Sequence, residues 1–435
     1  MRPPVRPTAR AVALEVIRRV TEHDAYSNLA LRAELERVGL RGRETALASE
    51  LAYGTIRRLV PIDHALERLV DRPLGSAPAS ALAVLRLGAY QLLYTRIPPH
   101  AAVGESVTLV TPRQRGFVNA VLRRLASEGV TWPIGDSNEE VAVRIGLSAW
   151  AVRELRRLVP DEPEPAAQAL AERAPLTLRA NPCRADVEEV RRRLSETGVA
   201  TVRGTIHEGS LLLEGGSPAE LPGFAQGWFT VQDQASSFVV DALDPQPGER
   251  VLDACAGPGG KTGHLACLVS PDGLLVAADV SVARIRLVAA TLERLGLQAF
   301  LLVHDGRRPA VSGGFDRVLV DAPCSGIGSA RRRPELLWRA GKAEVSDLAR
   351  LQVGIATAVA ELLRPGGRLV YSVCTFPRAE TDGVCDALLR RRPDLEPEFI
   401  AGPDGPAERV RLWPHRHGCD AMFVASFRRN PPGRR

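Results

Sequence analysis

Seven cysteines lie along the 435-residue chain, and two of them, Cys324 and Cys374, close apolar runs, RVLVDAPC (317–324) and RLVYSVC (368–374). Runs of this length and β-branched content predict buried strands, which puts both thiols at the carboxyl edge of one sheet, facing a cleft. A thiolate at such an edge is a nucleophile. Cytosine is a substrate that needs one, because its C5 is too weak to take a methyl group directly. A thiolate added at C6 converts C5 into an enamine-like carbon that attacks an electrophilic methyl; loss of the C5 proton then expels the thiol. The chemistry requires an attacking cysteine, an acid near N3 and a group that assists elimination, and Cys374, Asp321 and Cys324 are of the right types. Residue type alone does not decide which cysteine attacks. A buried cysteine is most often a small inert hydrophobe, the reading given to Cys183, Cys267, Cys385 and Cys419, while Cys255 is expected to pack beneath a glycine turn.

That turn follows the strand-like VLDACA (251–256) as Gly257, Pro258, Gly259, Gly260, Lys261 and Thr262, before a helical pattern begins. Glycines there let backbone approach a ligand without a clashing Cβ. Acidic residues stand at three consecutive strand ends, Asp253, Asp279 and Asp305, and are read as three in register around a shared ligand. An N-cap would explain Asp279 or Asp305 singly. Asp279 lies 22 positions past Gly257, the spacing of a ribose-hydroxyl acceptor. A nicotinamide dinucleotide would be met by GxGxxG; GPGGKT breaks that pattern, and carboxylates suit a ligand with a sulfonium and an amino group. S-adenosylmethionine is the expected cofactor.

The elements that must position these residues fall into three regions. From about residue 8 to 128 apolar residues recur at helical spacing, as in Ala11, Leu14, Ile17 and Ile62, Leu66, Leu69, which predicts an all-helical domain. Residues 129–165 are rich in Pro, Gly, Asp and Glu, and PDEPEP (160–165) reads as an acidic break. A small α+β segment follows: a strand at LTLRA (176–180), a helix near 184–197, short strands near 200–205 and 210–213, then GWFTVQD (227–233). From residue 249 short apolar runs alternate with helices, the signature of a parallel sheet covered on both faces. The expected boundaries are 1–135, 136–230 (with linker helices), 231–430 and a basic tail at 431–435.

Composition agrees with a soluble multidomain protein, at 45% apolar and 25% charged residues. No uncharged apolar stretch is long enough to span a bilayer, and Glu15, Arg18 and Arg19 interrupt any signal-peptide core, so a cytoplasmic location is expected. An odd number of cysteines without a CxxC pair predicts neither a disulfide framework nor a zinc site, and reduced thiols are the expectation. The net charge is +6, yet residues 1–130 alone carry 19 arginines against 12 acidic residues, leaving the remainder near −1. This excess suits phosphate contacts, although solvated helix faces produce the same imbalance.

With these motifs in hand, a family resemblance is clear. DACAGPGGKT (253–262), DAPCSGIG (321–328) and YSVCTF (371–376) resemble the motifs of RNA cytosine-5 methyltransferases of the NOL/NOP/Sun type. The resemblance implies that Cys374 is the nucleophile, that Cys324 assists product release, and that the cofactor is held by Cys255, Ala256, Gly257, Pro258, Gly259, Gly260, Lys261, Asp279, Asp305 and Asp321. Upstream, RLGAYQLLYTRIPPHAAVGESVTL (86–109) and GFVNAVLRRL (116–125) are similar to the NusB-type RNA-binding domain of the bacterial small-subunit rRNA members, the RsmB/Sun/Fmu type. PLTLRANP (175–182) and GWFTVQDQASS (227–237) are similar to the start of that group's middle domain and to the segment before its catalytic sheet. The fold implied is a NusB-like helical domain, a small α+β domain and a Rossmann-like methyltransferase domain. Small-subunit ribosomal RNA is the implied partner, with a monomer, no metal and no membrane expected; transfer RNA, or a catalytically silent assembly role, are the alternatives. Two departures stand out: glycine where the family usually has alanine at 257, and Glu380-Thr381 where many members have Glu-Asn.

Overall fold

The computed structural model describes residues 8–431. The tail expected at 431–435 lies almost wholly outside the described residues. The chain forms two compact units, one of residues 1–172 with 330–340 and one of residues 173–329 with 341–435.

The first unit is helical, as its periodicity predicts. Helices Ala9–Glu22, Ser27–Val38, Arg43–Arg57, Leu59–Glu67, Ala79–Tyr94, Pro99–Thr108 and Pro112–Glu128 enclose a core that includes Val16, Ile17, Ile56, Ile62, Leu66, Leu87 and Leu122. Residues 129–172 also belong here rather than with the α+β segment, and the linker helices expected after residue 136 are Asn138–Ile145, Ala149–Leu158 and Pro163–Ala171. The loop-like composition was capping chemistry. Ser137 and Glu140 form a reciprocal capping box, and the acidic break supplies Pro163 to the first turn of a helix, where a missing N–H costs nothing. Residues 330–340 pack into the same unit: Trp338 donates its indole N–H to the Ile56 carbonyl (3.0 Å), and Glu335 accepts from the Ser27 amide (3.1 Å).

The second unit begins with a four-stranded antiparallel sheet in the order β2-β3-β1-β4, from β1 (Leu176–Ala180), β2 (Val202–Arg203), β3 (Ser210–Leu213) and β4 (Phe229–Val231), with the helix Val187–Glu196. The larger sheet contains β5 (Arg250–Asp253), β6 (Leu274–Asp279), β7 (Phe300–Val303), β8 (Phe315–Asp321) and β9 (Leu363–Val373), all parallel, in the order β9-β8-β5-β6-β7. Successive side chains alternate between two apolar layers: Leu252, Val318, Val320, Leu369 and Tyr371 on one face, and Val251, Leu319 and Val370 on the other. The sheet is not purely parallel. β10 (Leu395–Glu398) is followed by a hairpin, β11 (Ile400–Gly402) with β12 (Gly405–Ala407), then by β13 (Arg409–Leu412) and β14 (Met422–Arg429). β14 runs antiparallel beside β9, and β10 and β13 pair with it.

The thiols need one correction. Cys183, just after β1, and Cys267, on the helix Gly260–Val269, form a disulfide with Cα atoms 6.0 Å apart, and Cys183 is exposed rather than buried. The two residues are 84 positions apart, on elements whose meeting no spacing rule anticipates. Among the described residues the other five cysteines form no disulfide, and of these Cys385 and Cys419 are buried as expected.

Candidate active site

From β5 the chain passes to β6 and β7 on one side, then crosses to β8 and β9 on the other. In open sheets of this kind ligands bind in the crevice outside the carboxyl ends where the order reverses, which here is between β5 and β8. The glycine turn closes β5 and Asp321 closes β8. Lys261, in the first turn of the helix Gly260–Val269, spans them: its ammonium donates to Asp321 Oδ2 (2.8 Å) and to Ser236 Oγ (2.7 Å). Asp321 Oδ1 accepts from Ser372 Oγ (2.8 Å), its register partner on β9.

On the β5 side the turn is built by close approach. Gly259 has φ +106°, and a Cβ there would lie 3.0 Å from the Val288 Cα. At Gly257 a Cβ would come 2.6 Å from Arg284 Cβ and 2.8 Å from Asp279 Oδ2, so glycine instead of alanine suits the packing on this turn. The Gly257 amide donates to Asp279 Oδ2 (3.1 Å), and Asp279 Oδ1 accepts from the Ser281 amide (2.9 Å). Pro258, in a cis peptide, follows, and its carbonyl accepts from Thr291 Oγ1 (3.3 Å). Ala256 is buried and holds the turn through its own carbonyl, which accepts from the Gly259 amide (2.8 Å). Cys255 is half-buried against the core, and burial pushes its thiol up, which agrees with a packing role.

The three carboxylates are not in register. Asp253 pairs with Ala277 and Asp279 with Val303, so each successive acid lies two residues further out. Asp253 is buried and accepts from Thr262 Oγ1 (2.8 Å); burial raises its pKa to about 7. It supports the turn from below. Asp305 is engaged locally, by the Arg307 amide and guanidinium. Asp279 is thus the acid held against the glycine turn itself.

On the β8–β9 side the two cysteines meet. Cys324 Sγ and Cys374 Sγ are 3.4 Å apart and both are half-buried. The Cys324 thiol is pushed well up, first by its hydrogen bond with Cys374 and then by burial. The Cys374 carbonyl accepts from the Gly328 amide (3.0 Å), tying the end of β9 to the turn after Cys324.

Comparison with known proteins decides what this arrangement belongs to. Ribosomal RNA small subunit methyltransferase B of Vibrio cholerae is 34% identical, over 96% of this chain and 96% of its own length. Rv1407 of Mycobacterium tuberculosis, named as a methyltransferase without a substrate, is 38% identical over 97% of this chain and 96% of its own. The family profile "16S rRNA methyltransferase RsmB/F" matches residues 240–428.

The chain belongs to the RsmB/F family.

It is an S-adenosylmethionine-dependent RNA methyltransferase. The NusB family profile matches residues 7–127, and the ferredoxin-like domain of RsmF/B-type methyltransferases matches residues 147–220, which bears out the helical and α+β readings. The crystal structure of PH0851 superposes with a TM-score of 0.82 at 26% identity, covering 98% of this chain and all of the other. Among the described residues no helix is long and apolar enough to cross a membrane.

Several groups at this RsmB/F-type site escape spacing arguments. Ser236 and Ser372 lie in segments whose resemblance is evident, yet nothing in them marks a serine as the partner of Lys261 or Asp321. Glu380 appears in the sequence only as half of a departing dipeptide. Its neighbour Thr381 replaces the family's asparagine and bonds locally, donating to the Pro377 carbonyl (3.0 Å). Elsewhere His207, Asp241 and His264 bring ligand-type atoms within 4.8 Å of one another, spacing that would suit a metal. The fully buried Arg179 guanidinium lies in their field, and with burial it lowers both imidazoles, His207 to about 4. The positive charge of Arg179 opposes a second cation beside these groups.

Proposed function

We propose that this enzyme methylates C5 of a cytosine in small-subunit ribosomal RNA through a covalent bond between Cys374 and C6, acting as a cytoplasmic monomer. The 3.4 Å approach of the two cysteine sulfurs beside the Lys261–Asp321 bridge carries the reading. A one-cysteine scheme gives no reason for a second thiol within contact of the first.

The crevice fits S-adenosylmethionine: a glycine turn on which a Cβ would collide, with the Asp279 carboxylate held against it, forms a cradle of the required kind. Residues Cys255 to Lys261, with Asp279 and Asp321, would hold the cofactor; Asp305, bound to Arg307, would have to exchange that partner to join them. When bound, the cofactor supplies the electrophilic methyl group. Cys374 adds as thiolate to C6; its proton passes to the Asp321 carboxylate, fixed between Lys261 and Ser372, which delivers it to N3. Cys324, whose thiol is pushed up, stands beside the sulfur that must leave; as the C5 proton passes to a water, Cys324 gives its proton to the departing Cys374 sulfur and so assists breakage of the C6–S bond. The target base must be extruded from any helix to reach this crevice. Arg113, Arg115 and Arg123 are exposed along the helix Pro112–Glu128 and suit phosphate contacts that position the RNA without reading its sequence.

The name and length match of the Vibrio cholerae protein support the ribosomal substrate over transfer RNA. The test is to incubate the protein with labelled S-adenosylmethionine and small-subunit RNA from cells lacking the gene, then digest to nucleosides. Label in 5-methylcytidine is expected; label in transfer RNA alone, or in another nucleoside, contradicts the proposal.

A further inference from the structure

We infer that Glu380 is a positioning residue for the cysteine pair, setting the approach of Cys324 to Cys374 through a buried network that touches the neighbours of both. The inference rests on the covalent reading above. Glu380 is fully buried, just before the helix Asp382–Arg391 and six positions after Cys374. A carboxylate withdrawn from water is strongly disfavoured unless its oxygens are satisfied, and burial does push the Glu380 carboxyl upward. What satisfies it is specific. Oε1 accepts from the Ser325 amide (2.9 Å) and from Gln352 Nε2 (2.9 Å), and Oε2 accepts from Ser325 Oγ (2.6 Å). Because the Ser325 hydroxyl donates its one proton to Glu380, it accepts from Thr375 Oγ1 (2.7 Å).

The residues held in this way flank the reacting groups. Ser325 follows Cys324 and Thr375 follows Cys374. Gln352 also donates to the carbonyl of Pro323, the residue before Cys324 (2.9 Å), so the Cys324 backbone is fixed on both sides. Tyr371, on β9 just before Cys374, donates to the Glu380 carbonyl (2.6 Å) and also contacts Gln352 Oε1 (3.1 Å). One carboxylate therefore holds the loop after β8 against the loop after β9. A displacement of about 1 Å at reacting atoms can cost on the order of 100-fold in rate, so loosening this clamp should affect the step that needs both sulfurs, elimination, more than attack, which needs Cys374 alone.

The test uses the full-length protein with S-adenosylmethionine and undermodified small-subunit RNA, comparing wild type, Glu380→Gln and, as control, Cys324→Ala. Glutamine puts an amide NH2 where an acceptor stood, so it cannot accept all three bonds. Expected for Glu380→Gln are turnover reduced by roughly 10- to 100-fold, KM for cofactor and RNA within about twofold of wild type, and a raised ratio of denaturant-stable protein–RNA adduct to released methylated RNA. Loss of adduct and product in equal proportion, tracking a lower folded fraction, would reduce Glu380 to a structural residue and overturn the inference. If Glu380→Gln does not fold, Thr375→Val removes one hydroxyl of the network at nearly constant volume and should move the ratio the same way by a smaller factor; an unchanged ratio overturns the inference equally. If Cys324→Ala itself gives no adduct, the covalent reading fails first and the proposal for Glu380 falls with it.

Discussion

The two sides of the crevice hold their groups by opposite means. On the β5 side backbone does the work: Gly257 and Gly259 approach their neighbours closer than a side chain allows, and the carboxylates beneath and beside them lie within a few residues of the turn or at the next strand end. On the β8–β9 side the geometry is set by buried side chains from four separate stretches, around Ser325, Gln352, Tyr371 and Glu380. A cofactor common to many substrates needs a conformable backbone cradle. Two sulfurs with the successive roles proposed above would need fixed separation, and polar networks in a low-dielectric interior supply it at the risk of a large penalty if any member is lost.

The largest expected effect separates chemistry from support. Cys374→Ala should lower turnover by roughly 10,000-fold or more, measured as methyl transfer to RNA, while cofactor affinity stays as in wild type. A residual rate near wild type would mean that the cysteine edge does not carry the reaction. Next is the cradle: Gly259→Ala places a Cβ against the Val288 backbone in a left-handed conformation, a strain of about 1–3 kcal/mol. Calorimetry should show weaker S-adenosylmethionine binding, with the adduct-to-product ratio unaltered; a shift in that ratio would blur the division between the two sides. Tyr371→Phe is its counterpart. Losing the hydroxyl takes from the Glu380 carbonyl the donor it has in Tyr371, at a cost of about 1–3 kcal/mol in unfolding free energy, and cofactor affinity should not change.

The smallest effect is a pH dependence at Asp253. Its native pKa is raised to about 7 from 3.8, chiefly by burial, with Asp321 raising it further and Thr262 and Lys261 opposing. Between those values the native state keeps a proton that the unfolded chain has released, so stability falls as pH rises through this window, by on the order of 1 kcal/mol per pH unit. Asp253→Asn should flatten denaturant-unfolding midpoints of the cofactor-free protein between about pH 5 and about pH 6, roughly one unit inside each limit. An unchanged slope would assign the titration to another group.

Much of this was legible in the sequence, for identifiable reasons. Strands β5 to β9 announce themselves because each contains a short apolar run, buried on both faces except in the edge strand β7, whose residues are largely exposed, and the glycine turn because its residues are contiguous. The cysteines were legible from chemistry: both end such runs. What spacing did not show is contact between distant segments. Glu380 and Ser325 are 55 positions apart, Cys183 and Cys267 84, and residues 330–340 leave the catalytic unit for the helical one without any change in composition. The antiparallel strands were missed for two reasons: β10 (LEPE) and β13 (RVRL) carry too few apolar residues to announce a strand, and the apolar run of β14 does not reveal its antiparallel pairing. Capping residues at Ser137 and Pro163 resembled a linker because turns and helix starts use the same residues.

The central claim is the division of labour between the two sulfurs. It is tested most directly by mixing Cys324→Ala and Cys374→Ala proteins separately with S-adenosylmethionine and undermodified small-subunit RNA, resolving each on a denaturing gel and sequencing the peptide that carries RNA. The account predicts a stable adduct on Cys374 in the Cys324→Ala protein and none in the Cys374→Ala protein. An adduct formed by the Cys374→Ala protein through Cys324 would reverse the roles and contradict it.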